Sequence, residues 1–471
     1  MHSDCRVFWR SDEGLEELKD LLGVTVSESL SADGYARAQI QLPLKYTRAD
    51  GSRLSWFDRL SIGDHITVVM SNWNGMEGSR EVVLDGIITG LSEQETVSDK
   101  SYGYNCVVQA ASFTHLLASD TVAWWMFWGS VEGWGRVTTF LTPDEQQGQS
   151  AEVAFKYLKK VAMRQSIYSN FDLSLERLIS LDFTGLDAVA PYQHALTQFE
   201  GSHLEIIGSF LEAPLQELYT TADTRLFGTF KQEANPGRKW DMNLAGTNVL
   251  RWRPAPYPYG VPEGGKVRVV FNDWNKLRVH TLNEIFGVVN TSSRQRNDSL
   301  IRNFFMLYPG VSFATDMMLW ALGTVIANEQ SYKTFGLRPM KVRTNLLHSE
   351  NAAYRKESLE DFIERMTWRL AVQHNRLHEM AQGTITTPLM PWVRIGERLR
   401  GPHLWHTNKM AEYHIYSRQL SWNPATGGQS AFGVERGLPV EVYSDPQWFA
   451  KGLSLARVGS ETYRKLADKE P

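Results

Sequence analysis

The sequence predicts an α+β protein. Two similar antiparallel β-barrel domains stand near the two ends of the chain, with a helical insertion and a mixed middle domain between them. Three observations lead there. Residues 23 to 117 run as β-branched or alternating segments (VTVSESL, ARAQIQLPL, DHITVVM, EVVLDGIITGLS, YNCVVQAASF) cut by Gly- and Asp-rich turns. Strand-like segments resume near the other end in GTITTPL, WVRIGERLR, EYHIYSRQLSW and SAFGVERG. The third observation is a phrase written twice: WFDRLSIGDHITVVM at 56–70 and PWVRIGERLR at 391–400.

Each phrase sets a Trp and an Arg (Trp56 and Arg59; Trp392 and Arg394) before an Ile-Gly-acid triplet (Ile62, Gly63, Asp64; Ile395, Gly396, Glu397). Glycine permits a tight bend where a strand begins, and the neighbouring acid can bond the turn backbone. In both places a long strand and a returning strand follow in the same order. NPATGG forms the hairpin turn of the second pair. Two copies of one module are the simplest explanation, with a chance echo of short phrases as the alternative. A chain with two similar modules has a geometric option, because three such chains in a ring present six modules and can mate with a true six-fold ring.

The elements between divide the chain at 1–120, 121–204, 205–345, 346–438 and 439–471. GLEELKDLLG reads as a short amphipathic helix ahead of the first strands. AEVAFKYLKKVAMR and HLEIIGSFLEAPLQELY place apolar residues at helical spacing, VLRWRP and GKVRVVFND read as strands, and the apolar run VSFATDMMLWALGTVIA reads as a buried helix. A further helix is expected over about 359–380, with Phe362, Met366, Arg369, Leu370 and Leu377 near one face. The polar tail past Leu438 is expected to drape over a neighbour or fray.

Composition narrows the function classes. The chain has 471 residues, too many for one ordinary core, and its 42% hydrophobic and 22% charged residues mark it as globular. A net charge of −4 gives no overall field for nucleic acid or membrane surfaces. The two cysteines, Cys5 and Cys106, fit neither a metal motif nor a disulfide framework. The start shows no signal-peptide pattern and no run reaches the length of a spanning helix, so assembly in a cytoplasm without membrane insertion is expected. Sixteen tryptophans, with Trp124, Trp125 and Trp128 beside Phe127, suit a core or a subunit interface.

Catalytic signatures are weak. VPEGGKV has the wrong Gly spacing for a phosphate loop, and no Gly-x-Ser-x-Gly elbow occurs. His374 and His378 lie in HNRLHE, where the Glu is misplaced for a zinc protease, so a solvated helix face is the plainer reading. No catalytic residue, cofactor or metal ligand is nominated. The Arg-rich RVRVV and SSRQRND segments read as solvated or interface faces.

These segments together resemble the central baseplate hub, or tail-tip hub, proteins of tailed bacteriophages and contractile injection systems. LSIGDHITVVM with VLDGIITGLS is similar to that family's first tube-like barrel. PLQELY with VLRWRPAPY, then NEIFGVVNTSSRQRNDSLIRNFFMLYP and SYKTFGLRPMKVRTNLL, resemble its middle region. The helix at 359–380, GTITTPLMPWVRIGERLR and HIYSRQLSWNPATGGQSAFGVERG resemble its final helix and second tube-like barrel. The match covers roughly 23–117 and 205–437 and leaves the region from about 121 to 203 unplaced.

The resemblance implies a homotrimer in the virion tail. It would adapt the hexameric tail tube protein to a trimeric spike or tail-tip protein, around a channel for the tape measure protein and DNA. The turns at 72–79 and 401–408, with Asn72, Trp73, Asn74, Gly75, His403, Trp405 and His406, are candidates for contact with the tube or spike. Rival expectations are a cell-wall hydrolase with its site in 121–204 and a glycan- or receptor-binding tail component.

Overall fold

The computed structural model describes residues 2–11, 14–31, 34–47, 53–73, 80–98, 101–122, 150–159, 175–183, 201–211, 213–222, 248–263, 266–282, 291–309, 324–344, 359–402 and 410–457. The N-terminal part contains β1 (His2–Ser11), β2 (Gly14–Leu18), β3 (Gly23–Ser29), β4 (Arg37–Pro43), the small hairpin β5 (Lys45–Thr47) and β6 (Arg53–Ser55), β7 (His65–Trp73), β8 (Arg80–Ser98) and β9 (Ser101–Ser112). Then come β10 (Thr121–Val122), β11 (Ile179–Asp182), β12 (Gly201–Ser202), β13 (Gln216–Ala222), β14 (Asn248–Pro254), β15 (Tyr259–Glu263), β16 (Lys266–Val270), β17 (Val279–Thr281) and β18 (Thr291–Gln295). The C-terminal part contains β19 (Phe304–Pro309), β20 (Thr324–Asn328), β21 (Pro339–Thr344), β22 (Ala381–Pro388), β23 (Arg398–Pro402), β24 (Met410–Asn423), β25 (Gly427–Pro439) and β26 (Leu453–Arg457).

Thirteen of these strands form one sheet. Its main path is β18-β22-β25-β24-β3-β4-β9-β8-β7-β1-β2, with β23 paired to both β24 and β17. Among the described residues this path is open at both ends, and neither half closes on itself as a separate barrel.

The path holds the same five-strand unit twice. The first is β3-β4-β9-β8-β7 and the second is β18-β22-β25-β24-β23. The registers agree residue by residue. His65 pairs with Ile87 as Arg398 pairs with His414, and Gln39 pairs with Gln109 as Thr384 pairs with Gly433. Both long strands carry a bulge at the same place, after Ile88 in β8 and after Ile415 in β24. Pro43 and Pro388 end equivalent strands opposite Asn105 and Gln429. Alternation explains the burial in β3 and β4, where Val24, Val26, Ile40 and Leu42 turn into the first core and the residues between them are more exposed, while β9 adds Val108 and Ala110 to that core and buries Val107 and Ala111 as well. The second core gathers Ile385, Tyr413, Ile415, Phe432 and Val434.

Two further cores flank the sheet. One packs β11, β13 and β14 against the helices His115–Ser119 and His203–Gly208. The other packs the helix Leu359–His374 against β15, β19 and β20. That helix buries Phe362, Met366, Leu370 and also Arg369, whose guanidinium lies 4.0 Å from the Tyr259 ring centre.

Several sequence expectations need correction. GLEEL is strand β2, paired with β1; a segment this short cannot hold an isolated helix, and β1 offers an edge. The helix expected through HLEIIGSFLEAPLQELY stops at Gly208, Pro214 bars it from resuming, and Gln216–Tyr219 lie in β13. The end of the apolar run at 311–327 is strand β20, filling the gap between β19 and β26; its earlier residues lie outside the described ones, as do Trp124, Trp125, Phe127 and Trp128. The helix expected to 380 ends at His374, and a 3-10 turn Leu377–Glu379 leads into β22. The tail beyond Leu438 packs as far as Arg457: Tyr443 and Phe449 are buried, and β26 pairs with β20.

His374 is likewise not on a solvated face. It is buried, with Nδ1–H donating to the Leu370 carbonyl at 2.9 Å. Burial first, and then the Arg436 charge, push its pKa from 6.5 down to about 3. The folded state therefore holds it neutral while the unfolded chain takes up a proton below pH 6.5. Its stabilising contribution is complete above that pH and is lost as pH falls toward 3. The urea midpoint of the wild-type chain is expected to fall between pH 7 and pH 4, with a shallower fall in His374→Gln, as followed by tryptophan fluorescence.

Candidate functional site

The two Ile-Gly-acid turns are built by the same bonds. Gly63 N–H donates to Ile88 O at 2.8 Å, and Ile88 N–H donates to Asp64 O at 2.9 Å. In the second unit Gly396 N–H donates to Ile415 O at 2.8 Å, and Ile415 N–H donates to Glu397 O at 3.0 Å. Each acid side chain accepts the backbone N–H three residues before it: Ser61 to Asp64 at 2.9 Å and Arg394 to Glu397 at 3.0 Å. A ring nitrogen holds the same oxygen in both cases, Trp9 Nε1 at 2.8 Å from Asp64 and His280 Nε2 at 2.7 Å from Glu397. The glycines sit at φ 95° and 76°, in the left-handed region that disfavours a Cβ.

The Trp and Arg halves of the phrase do not share this equivalence. Trp56 is a buried core residue of the helical turn Trp56–Arg59, whereas Trp392 is half-buried in a turn at a different spacing from its glycine. Arg59 pairs with Glu16 near the surface, while Arg394 is buried and reaches Glu81 Oε2 at 2.8 Å. Ile62 is exposed and Ile395 is buried. The difference follows from position, since the first turn opens outward and the second is covered by Tyr219 and Arg253.

The candidate contact turns are placed only in part. Asn72 lies inside β7, buried, and its Nδ2 donates to Leu389 O at 2.6 Å; it joins the two units rather than reaching outward. Trp73 ends β7. Asn74, Gly75, His403, Trp405 and His406 fall outside the described residues.

The seam between the units was not anticipated from sequence. Past its bulge, β24 leaves β23 and pairs with β3, from Ser417↔Ser29 to Trp422↔Val24. Arg418 and Glu28 meet there, each buried, at 2.7 Å. Burial lowers the Arg418 pKa to about 10 while Glu28 opposes the shift, so the guanidinium stays charged at neutral pH. Arg418 also donates to the carbonyls of Pro391 and Val393, at 3.0 and 2.7 Å. Leu389 and Leu420 of the second unit lie in the core of the first. Paired cross-seam residues Arg418 and Glu28 stand too far apart in sequence for any local pattern to reveal them.

Among the described residues no group of His, Cys, Asp and Glu is arranged to hold a metal ion. No described helix is long and apolar enough to cross a membrane.

No protein-family model matches the sequence, and no curated protein matches it either. Solved structures do. The tail protein from Neisseria meningitidis MC58 is similar with a TM-score of 0.50 at 11% identity, over 92% of this chain and 96% of that one. The 43 kDa tail protein of prophage MuSo2 from Shewanella oneidensis gives a TM-score of 0.47 at 12% identity, over 92% and 98%. An E. coli component of the type VI secretion system, described as similar to bacteriophage T4 tail proteins, gives 0.40 at 10%, over 88% and 73%. The chain thus shares its fold with the Neisseria tail protein.

Two stability outcomes follow from the turns and the seam. At Gly63 an added Cβ meets nothing within 4 Å, while at Gly396 it lies 2.6 Å from Tyr219 Oη and 2.8 Å from Arg253 Nη2. Gly63→Ala is expected to lose about 1 kcal/mol from backbone strain. Gly396→Ala should lose distinctly more, as read by urea unfolding. Glu28→Ala leaves the buried Arg418 charge unpaired and is expected to cost about 3–5 kcal/mol, whereas Glu28→Leu with Arg418→Met recovers most of the loss.

Proposed function

We propose that this chain is a structural hub of a phage tail or related contractile injection device, acting through assembly and not catalysis. The observation that carries the reading is the five-strand unit repeated within one chain and joined edge to edge at β24 and β3. A homotrimer of such chains offers six similar units on a three-fold axis. One end of that ring matches the hexameric tail tube protein, and the other a trimeric spike or tail-tip protein. The lumen passes the tape measure protein and then DNA. The fold shared with the Neisseria tail protein supports a place in the virion tail, at the baseplate or tail tip, after assembly in the host cytoplasm.

In this reading the units within 1–120 and 346–438 are the two tube-like barrel modules. The second borrows its outer strand, β18, from the middle region 205–345. The helical region 121–204 and the C-terminal residues 439–471 are accessory. The turns that carry Asn74 and Gly75, and His403, Trp405 and His406, are the candidates for reaching an adjacent ring.

Light scattering and negative-stain imaging of the purified chain test the proposal. A trimeric ring with six lobes around a hole is expected, and it should bind tail tube protein end-on. A closed dimer without a channel sinks it.

A further inference from the structure

We infer that copies of this chain join through β8 and β18, in the register that β24 and β3 use within the chain. The inference rests on the hub reading and names the surface, the partner (a second copy) and the residue pairing.

Each half leaves one edge that the other half covers. In the second unit β24 pairs with β23, passes its bulge and continues onto β3. In the first unit β8 pairs with β7, passes the same bulge at Ile88, and thereafter has only β9 beside it among the described residues. The equivalent of β3 in the second unit is β18, which among the described residues is paired to β22 alone. Among the described residues β8 and β18 thus offer a donor edge and an acceptor edge, each the counterpart of an edge already mated inside the chain. An exposed strand edge presents unpaired N–H and C=O groups that favour a further strand. A donor edge on one side and an acceptor edge on the other give a head-to-tail interface, which closes into a ring when the rotation permits.

The registers fix the pairing. Leu420↔Val26 maps onto Glu93↔Arg294, Ser421↔Thr25 onto Gln94↔Ser293, and Trp422↔Val24 onto Glu95↔Ser292. The charges agree with that register. The edge of β8 carries Glu93 and Glu95, both exposed, and β18 with the residue after it carries Arg294 and Arg296. An apolar pair inside the chain, Leu420 with Val26, becomes an acid facing a base between chains. Opposite charges directly across an antiparallel pair stabilise it, and like charges oppose it. The seam within the chain is sealed by the buried Arg418–Glu28 pair, whereas the seam between chains has Leu91 and Arg296 at those positions. The joint between copies is therefore the more salt-sensitive of the two.

The test uses the full-length chain. Gln94→Cys with Ser293→Cys is expected to oxidise to covalently linked trimers, while Gln94→Cys with Asn297→Cys, out of register, is not. Glu93→Arg and Arg294→Glu should each raise the concentration needed for trimers by about 10-fold or more, and the double swap should restore it. Trimers by mass that give no in-register crosslink and ignore both charge reversals overturn this seam and leave the hub reading standing. A chain that stays monomeric at every concentration, with tail tube protein present, overturns both.

Discussion

Everything in this molecule depends on one constraint: a β-strand has two edges, and β24 must satisfy both along fourteen residues. It does so by changing partners. The bulge after Ile415 turns the strand out of the ladder with β23 and onto β3. A bulge bends and twists a strand locally, and here that local irregularity lets two units share one sheet. The Ile-Gly-acid turn stands beside the bulge because its glycine and acid supply the bonds that hold the departing strand at its pivot. Without the pivot, the two units would have separate sheets and the buried Arg418–Glu28 pair would have no place to form.

The seam is polar at its centre and apolar around it. A buried ion pair is a poor source of net stability, because removing two charges from water offsets most of their attraction. What it supplies is register. A slip of one residue would leave two charges buried without partners, while the surrounding leucines tolerate small shifts. The Asn72 amide on Leu389 O and the Arg394 reach to Glu81 act in the same way, each tying a defined atom of one unit to the other.

The sequence made the repetition legible because its turn chemistry is local. A glycine at positive φ followed by an acid can be seen in three letters, and Asp64 and Glu397 do hold the backbone in the same way. The positions of most strands along the chain were legible from alternation, while their order in the sheet was not. The Trp and Arg of the same phrase misled, since Trp56 and Trp392 serve different cores and Arg59 and Arg394 meet different acids. β18 was hidden as a member of the second unit: SSRQR is short, polar and far from its neighbour β22. GLEEL looked helical because a spaced leucine pattern in a short segment says little until an edge such as β1 is known. The seam joins residues at opposite ends of the chain, so nothing near either residue announces it.

The pairing of β3 with β24 also has a meaning in time. A ribosome emits β3 long before β24, so the first unit emerges with one flank uncovered while the intervening residues are made. Contacts of such long sequence separation form late and slowly, because the intervening loop must be closed first. During that interval the waiting edge is open to any passing strand, including the same edge on a neighbouring nascent chain. Thr25 and Ser27 set polar side chains beside that edge, on the face of β3 away from its core.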